Sequence, residues 1–249
     1  MGIPGYIADR IRTPAPKDCY VVPESTPVVW FGEFERATVA TLGLNPSRQE
    51  FLSTEGDLLL GGDRRLANAR TLGTAVPSAE NEVRQVVADC NSYFQRNPYS
   101  AWFDHLERLM VAASVASYYG VDGLPLACHL DLVQWATDPV WDRIPDPTIR
   151  HTLLERDRDF LRAQLNSPRL RLVLANGRGV ISELERSLDV RFSYREPASD
   201  GQKESRIVVG RVARVQVIGW SQNLQSAFGV SNALRRSIAV RVSEELARS

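Results

Sequence analysis

The sequence predicts an α/β fold, a mostly parallel sheet covered on both faces by helices. Apolar, β-rich runs alternate along the chain with segments of helical period. Those runs end repeatedly in Asn, Gly or Asp, the punctuation of buried strands passing into loops. No internal repeat, low-complexity tract or linker interrupts the alternation. An irregular N-terminal arm, residues 1–27, is therefore expected to precede a single α/β domain over residues 28–249.

In chain order, Val28–Phe31 and Ala37–Leu44 read as strands. Glu80–Gln95 and Tyr99–Ser117 read as helices, the second with Trp102, Phe103, Leu106, Leu109 and Met110 at helical spacing. Leu126–Leu132 is a strand and Ile149–Leu165 a charged amphipathic helix. Leu170–Ala175 is a buried strand, followed by a Gly179–Leu188 helix opened by Gly177-Arg178-Gly179. Ile207–Ile218 is a long strand or a hairpin pair, and Ser231–Ala247 closes the chain as a helix. Strands separated by helices imply parallel pairing.

With 43% hydrophobic and 24% charged residues among 249, the chain has the balance of an ordinary soluble globule. No apolar run approaches the ~18 residues that span a bilayer. Asp9, Arg10 and Arg12 precede no apolar stretch, so a secretory signal is not expected and the cytoplasm is the expected location. Cys19, Cys90 and Cys128 are isolated and form no C-x-x-C pair, which argues for idle buried thiols over a zinc or iron–sulfur site.

Net charge is zero, which excludes a strongly basic nucleic-acid binder overall. Lys17 and Lys203 are the only lysines among 30 basic residues. A GC-rich coding sequence explains that bias without function. Alternatively the clusters Arg64-Arg65, Arg211 with Arg214, and Arg235-Arg236 grip phosphates through the planar guanidinium fork, which works locally on a neutral protein.

Chemistry concentrates at strand ends, where open α/β sheets collect their ligands. The junctions are Gly43-Leu44-Asn45-Pro46-Ser47, Asp131 running through Trp135 to Thr137-Asp138-Pro139, Asn176-Gly177, and Gly219-Trp220-Ser221-Gln222-Asn223. A fifth segment, Tyr93-Phe94-Gln95-Arg96-Asn97-Pro98-Tyr99 with Trp102-Phe103, packs aromatics around an Asn-Pro turn. His129 lies two residues from Asp131 on one strand, hence on one face, and reads better as a structural histidine than as half of a His–Asp pair. His105 and His151 form no metal spacing with it.

Taken together, these segments resemble the uracil-DNA glycosylase superfamily, nearest its mismatch-specific branch. The first motif of that branch reads G-I-N-P-G, followed by N-x-F-W. Here Gly43–Ser47 stands for the first and, more loosely, Asn97 with Trp102-Phe103 for the second. The likeness in order and spacing runs from about residue 37 to 240. It implies a three-layer α/β/α sandwich that flips a nucleotide out of DNA and hydrolyses its N-glycosidic bond. No metal or cofactor is implied, and the expected partner is DNA, met by a monomer.

The resemblance assigns Asn45 to hold the attacking water, by orientation and electrostatics, since an amide is a poor base. Asp131 stands where related enzymes carry an Asn that reads the pyrimidine edge. An ionised Asp only accepts hydrogen bonds, which suits the exocyclic amine of cytosine. Burial that left it protonated would let it donate. Asp138 is the alternative for that polar role. Ser47 is small where uracil-specific relatives carry a Tyr, leaving room for a substituent at C5 of the base. Together these suggest a C5-modified cytosine, as in some phage genomes, and so an antiviral role.

Phe94 or Tyr99 is the candidate for stacking on the base. The last family motif, H-P-S or N-P-S, is replaced by Gly219-Trp220-Ser221-Gln222-Asn223-Leu224, without His or Pro. Ser221, Gln222, Asn223 and Arg235 are candidate DNA contacts, and Leu224, Gln225 or Phe228 a candidate wedge. Two other readings stand beside the glycosylase: a DNA- or modified-base-binding module without catalysis, and an enzyme of free nucleotides or nucleosides.

Overall fold

The computed structural model describes residues 2–225 and 230–248. Its fold class is α/β, with a six-stranded, mostly parallel sheet and flanking helices, in keeping with the expected three-layer arrangement. Among the described residues the elements run α1 (Gly5–Arg12), β1 (Val39–Gly43), α2 (Ala69–Leu72), α3 (Glu80–Asn91), α4 (Ser100–Ala112) and β2 (Ala127–Asp131). Then come α5 (Pro147–Leu165), β3 (Leu172–Asn176), α6 (Arg178–Leu188), β4 (Ser193–Ser199), β5 (Glu204–Val212), β6 (Val215–Trp220) and α7 (Asn232–Ala247).

The sheet order is β2-β1-β3-β6-β5-β4. Strand β3 is parallel to β1, Val39 facing Leu172, and to β6, Leu172 facing Gln216, whereas β4, β5 and β6 form an antiparallel meander. Strands β1, β2 and β3 are buried at every residue, the signature of strands covered on both faces.

The chain forms two compact units: residues 1–33, 44–99 and 130–164, and residues 34–43, 100–129 and 165–249. In the second, α6 packs on β3 and β6, while α7 packs on β4, β5 and β6 and against α4. Gly219 is where β6 lets α6 approach: an added Cβ would sit 3.0 Å from an Ile181 side-chain carbon. In the first unit, Cys19, Val133, Trp135 and Leu153 form a buried cluster that joins α5 to the segment following β2.

Two expectations are corrected and one element is added. The N-terminal arm is not irregular throughout, because residues 5–12 form α1, which buries Ile7, Ala8, Arg10 and Ile11. Val28–Phe31 is buried as expected but joins no strand of the sheet; its Val28 N–H goes instead to the Gln134 carbonyl at 2.7 Å. Strand β4 is an addition to the expected elements, since Ser-Tyr-Arg-Glu-Pro-Ala-Ser is mostly exposed and carries no apolar alternation.

Candidate functional site

The first unit assembles its candidate site around the turn that follows β1. Just past the ends of β1 and β2, the Leu44 carbonyl accepts from Val133 N at 2.9 Å, tying the Asn45 turn to the segment after Asp131. Asn45, half-buried, donates both amide hydrogens to that segment, to Trp135 O at 3.2 Å and Thr137 Oγ1 at 3.1 Å. A backbone carbonyl can only accept, so the orientation of the amide follows from its partner. Asn45 Oδ1 is left without a hydrogen bond among the described residues, an oriented acceptor.

The anchoring segment is itself braced by the N-terminal residues. Val22 N donates to Ala136 O at 2.9 Å and Asp138 N to Tyr20 O at 2.9 Å. From α1, Arg10 reaches in to pair with Asp157 at 2.8 Å, both side chains buried, and its guanidinium lies 5.2 Å over the Trp135 ring. Asp157 also accepts from Gln134 N at 2.7 Å. Burial pulls the Arg10 pKa down and pushes that of Asp157 up, each against the pull of the other. Loss of either partner would strand a buried charge.

Ser47 caps a 3₁₀ turn, Arg48–Glu50, by accepting from Gln49 N at 3.2 Å. Arg48 reaches Asp138 at 2.8 Å in a partly exposed ion pair, so Asp138 is engaged rather than left open for a base. The turn delivers Glu50 into the interior, where only 1% of it is exposed. Glu50 Oε2 accepts from the Tyr93 hydroxyl at 2.5 Å, and the same hydroxyl oxygen accepts from Tyr99 N at 2.9 Å. Glu50 Oε1 is buried with no hydrogen-bond partner among the described residues.

Burial raises the Glu50 pKa to about 8; the Tyr93 bond and Arg65 oppose the rise, and Asp131 adds to it. Glu50 is therefore largely a neutral acid at pH 7. Arg65 lies 5.5 Å from the centre of the half-buried Tyr99 ring and donates to Gln49 O at 2.8 Å. Phe94 is buried edge-on to Tyr93, centroids 5.2 Å apart, which makes it core packing, while Tyr99 is only half-buried.

Asp131 ends β2, 5% exposed, close enough to Glu50 to influence its charge; its carbonyl accepts from Gln134 Nε2 at 2.9 Å. Asn45, Ser47, Tyr99, Asp131 and Asp138 thus fall in one unit, joined by Glu50, Arg65 and Tyr93. The sequence pattern does not single out Glu50, and it offers Arg65 only as half of the Arg64-Arg65 phosphate pair. The available signal was a lone acid five positions after Asn45, directly before the apolar pair Phe51-Leu52.

His129 belongs to the second unit, where its Nδ1 meets Thr41 Oγ1 at 2.6 Å and its ring stands edge-on to Phe103 at 5.2 Å, a structural role. The other candidate contacts also lie there. Asn176 saturates its amide. Its Oδ1 accepts from Trp220 Nε1 at 2.9 Å and Leu224 N at 3.1 Å, and its Nδ2 donates to Asn223 Oδ1 and Gln225 Oε1. Ser221 Oγ accepts from Arg206 N at 3.0 Å, and Gln222 leans on Glu204 O at 3.3 Å.

One assignment on this loop changes. Leu224 is fully buried, so it cannot project as a wedge from this position. Arg235 is only part-exposed and donates to Leu224 O at 3.2 Å, so it secures the loop from α7. Phe228 lies outside the described residues.

All three cysteines are free and buried, with the thiols of Cys90 and Cys128 pushed up to about 12 by burial, as inert thiols should be. Among the described residues no three His, Cys, Asp or Glu side chains group to hold a metal ion, and no helix is long and apolar enough to cross a membrane. No protein-family model and no curated protein matches the chain.

Proposed function

We propose that this protein is a monofunctional DNA glycosylase, acting as a cytoplasmic monomer, that hydrolyses the N-glycosidic bond of a flipped pyrimidine and leaves an abasic site. The observation that carries the reading is the locked Asn45 amide, with both hydrogens spent on Trp135 O and Thr137 Oγ1 and Oδ1 left as a fixed acceptor. Departure of a base gives the sugar oxocarbenium character, and the nucleophile is then a water that needs aim more than deprotonation. An acceptor held on a rigid turn supplies that aim without reorganising.

Asp131, buried at the end of β2, is the proposed reader of the exocyclic amine of a cytosine. Tyr99, half-buried and backed by Arg65, is the proposed stacking surface. Ser47, half-buried and small, leaves the C5 edge of the base unobstructed, so a C5-modified cytosine in phage DNA is the proposed substrate and phage defence the proposed setting.

The test is a strand-cleavage assay on duplexes carrying uracil, a thymine mismatch, or C5-modified cytosines. Alkali-labile sites at the modified cytosines are the expected product. Preferential release of uracil would refute the substrate assignment, and no release from any duplex would refute the activity.

A further inference from the structure

Glu50 is a buried titratable group that the glycosylase reading leaves unused. One of its oxygens is satisfied by Tyr93, whose hydroxyl is fixed in turn by Tyr99 N. The other is shut away from solvent with no partner among the described residues. A buried polar atom without a partner costs free energy, and a ligand that supplies the missing partner removes that cost. The titratable and charged groups that face it come from other segments: Asp131 at the end of β2, Arg65, and the Tyr93 and Tyr99 hydroxyls. Asp131, the proposed reader of the base, is thus in electrostatic reach of the unsatisfied carboxyl.

We propose that Glu50 is the general acid of base release: resting on the glycosylase reading, its carboxyl Oε1–H donates to O2 of the flipped pyrimidine and passes its proton there as the N1–C1′ bond breaks. The chemistry balances. The N1–C1′ electron pair leaves with the base, and the charge it would place on N1 and O2 is neutralised by the Glu50 proton. Water forms the new C1′–O bond and loses one proton to solvent, from which Glu50 is recharged. The products are a neutral base and an abasic sugar, with Asn45 aiming the water and Glu50 assisting the leaving group. A carboxyl kept neutral by burial is the kind of group this task needs near neutral pH.

The experiment measures single-turnover base release against pH for wild type, Glu50→Gln and Tyr93→Phe. In parallel it measures affinity for a duplex carrying a 2′-fluoro nucleotide that resists cleavage. Wild-type release should fall tenfold per pH unit above about 8, as Glu50 ionises. Glu50→Gln, close in shape, should bind within ~3-fold of wild type, release base ~100-fold more slowly and lose the alkaline limb. Tyr93→Phe removes the bond that holds the Glu50 pKa down, so its alkaline limb should move to higher pH.

Wild-type release combined with an unaltered rate or limb in Glu50→Gln, or with an unmoved limb in Tyr93→Phe, would overturn the role of Glu50 and leave the glycosylase reading standing. No release by wild type from any duplex overturns both.

Discussion

Thr137 offers a probe of Asn45 that leaves the amide in place. It is fully buried and holds one of the two Nδ2 hydrogens at 3.1 Å, so Thr137→Val keeps the volume and frees the amide to swing about its remaining bond to Trp135 O. Misaiming a nucleophile lowers rate more than affinity. The expected outcome is a ~10-fold slower single-turnover release with DNA affinity unchanged, and recovery in Thr137→Ser. Glu50 makes a separate prediction about stability. Its folded pKa is raised to about 8, above the usual carboxylate range, so the folded state binds its proton more tightly than the unfolded chain. The Glu50 contribution is therefore fully present in acid and is lost as pH rises towards about 8. Glu50→Gln cannot ionise, so denaturant melts should show it gaining on wild type between pH 5 and pH 9. The gain should be a few kcal/mol, about 1.4 kcal/mol for each tenfold by which folding tightens the hold on that proton.

Among elements, the β3–α6 junction and the loop after β6 form one hydrogen-bonded piece. Gly177 N donates to Trp220 O at 2.9 Å and Arg178 N to Ser221 O at 3.1 Å, while Asn176 spends its whole amide on the same strand end and loop. Gly177 stands at φ 100° and ψ 155°, a region only glycine occupies comfortably. Gly177→Ala should destabilise the protein by ~1–3 kcal/mol through backbone strain alone, since its Cβ would meet Asn223 at an ordinary 3.5 Å. Asn176→Asp replaces two donors with acceptors facing Asn223 Oδ1 and Gln225 Oε1, and should cost a similar ~1–3 kcal/mol in a urea melt.

The elements also show what the sequence could reveal. Leu172–Asn176 and Val39–Gly43 are largely apolar and announce buried strands. The helices expected over 80–95 and 99–117 overrun α3 and α4, because apolar residues such as Tyr93, Phe94, Val115 and Ala116 stay buried in the turns that follow. Strand β4 escapes notice because its side chains mostly face solvent and its pairing with β5 defines it. Asn45, Asp131 and Asp138 were legible as candidates because strand ends followed by polar residues mark α/β sites. Glu50 was not, because its meaning comes from burial beside Tyr93, a contact spanning 43 residues that no local pattern encodes.

On the scale of the whole molecule, 30 basic and 30 acidic residues cancel, and much of the arginine is already committed. Arg10, Arg48, Arg64, Arg70, Arg96, Arg195 and Arg241 all sit on carboxylates. Fewer guanidinium groups are left for phosphates, so DNA affinity should depend on salt only gently. A plot of log affinity against log salt is expected to give the slope of roughly two to four phosphate contacts, and a slope near ten would contradict this charge distribution.

Asn45 is proposed to aim a water at a flipped nucleotide, and one paired measurement addresses that role. Single-turnover base release and DNA affinity are determined for wild type and Asn45→Ala on the same modified-cytosine duplex. Release should fall ~100-fold or more while the dissociation constant stays within ~3-fold. Equal release by the two proteins would contradict that role for Asn45.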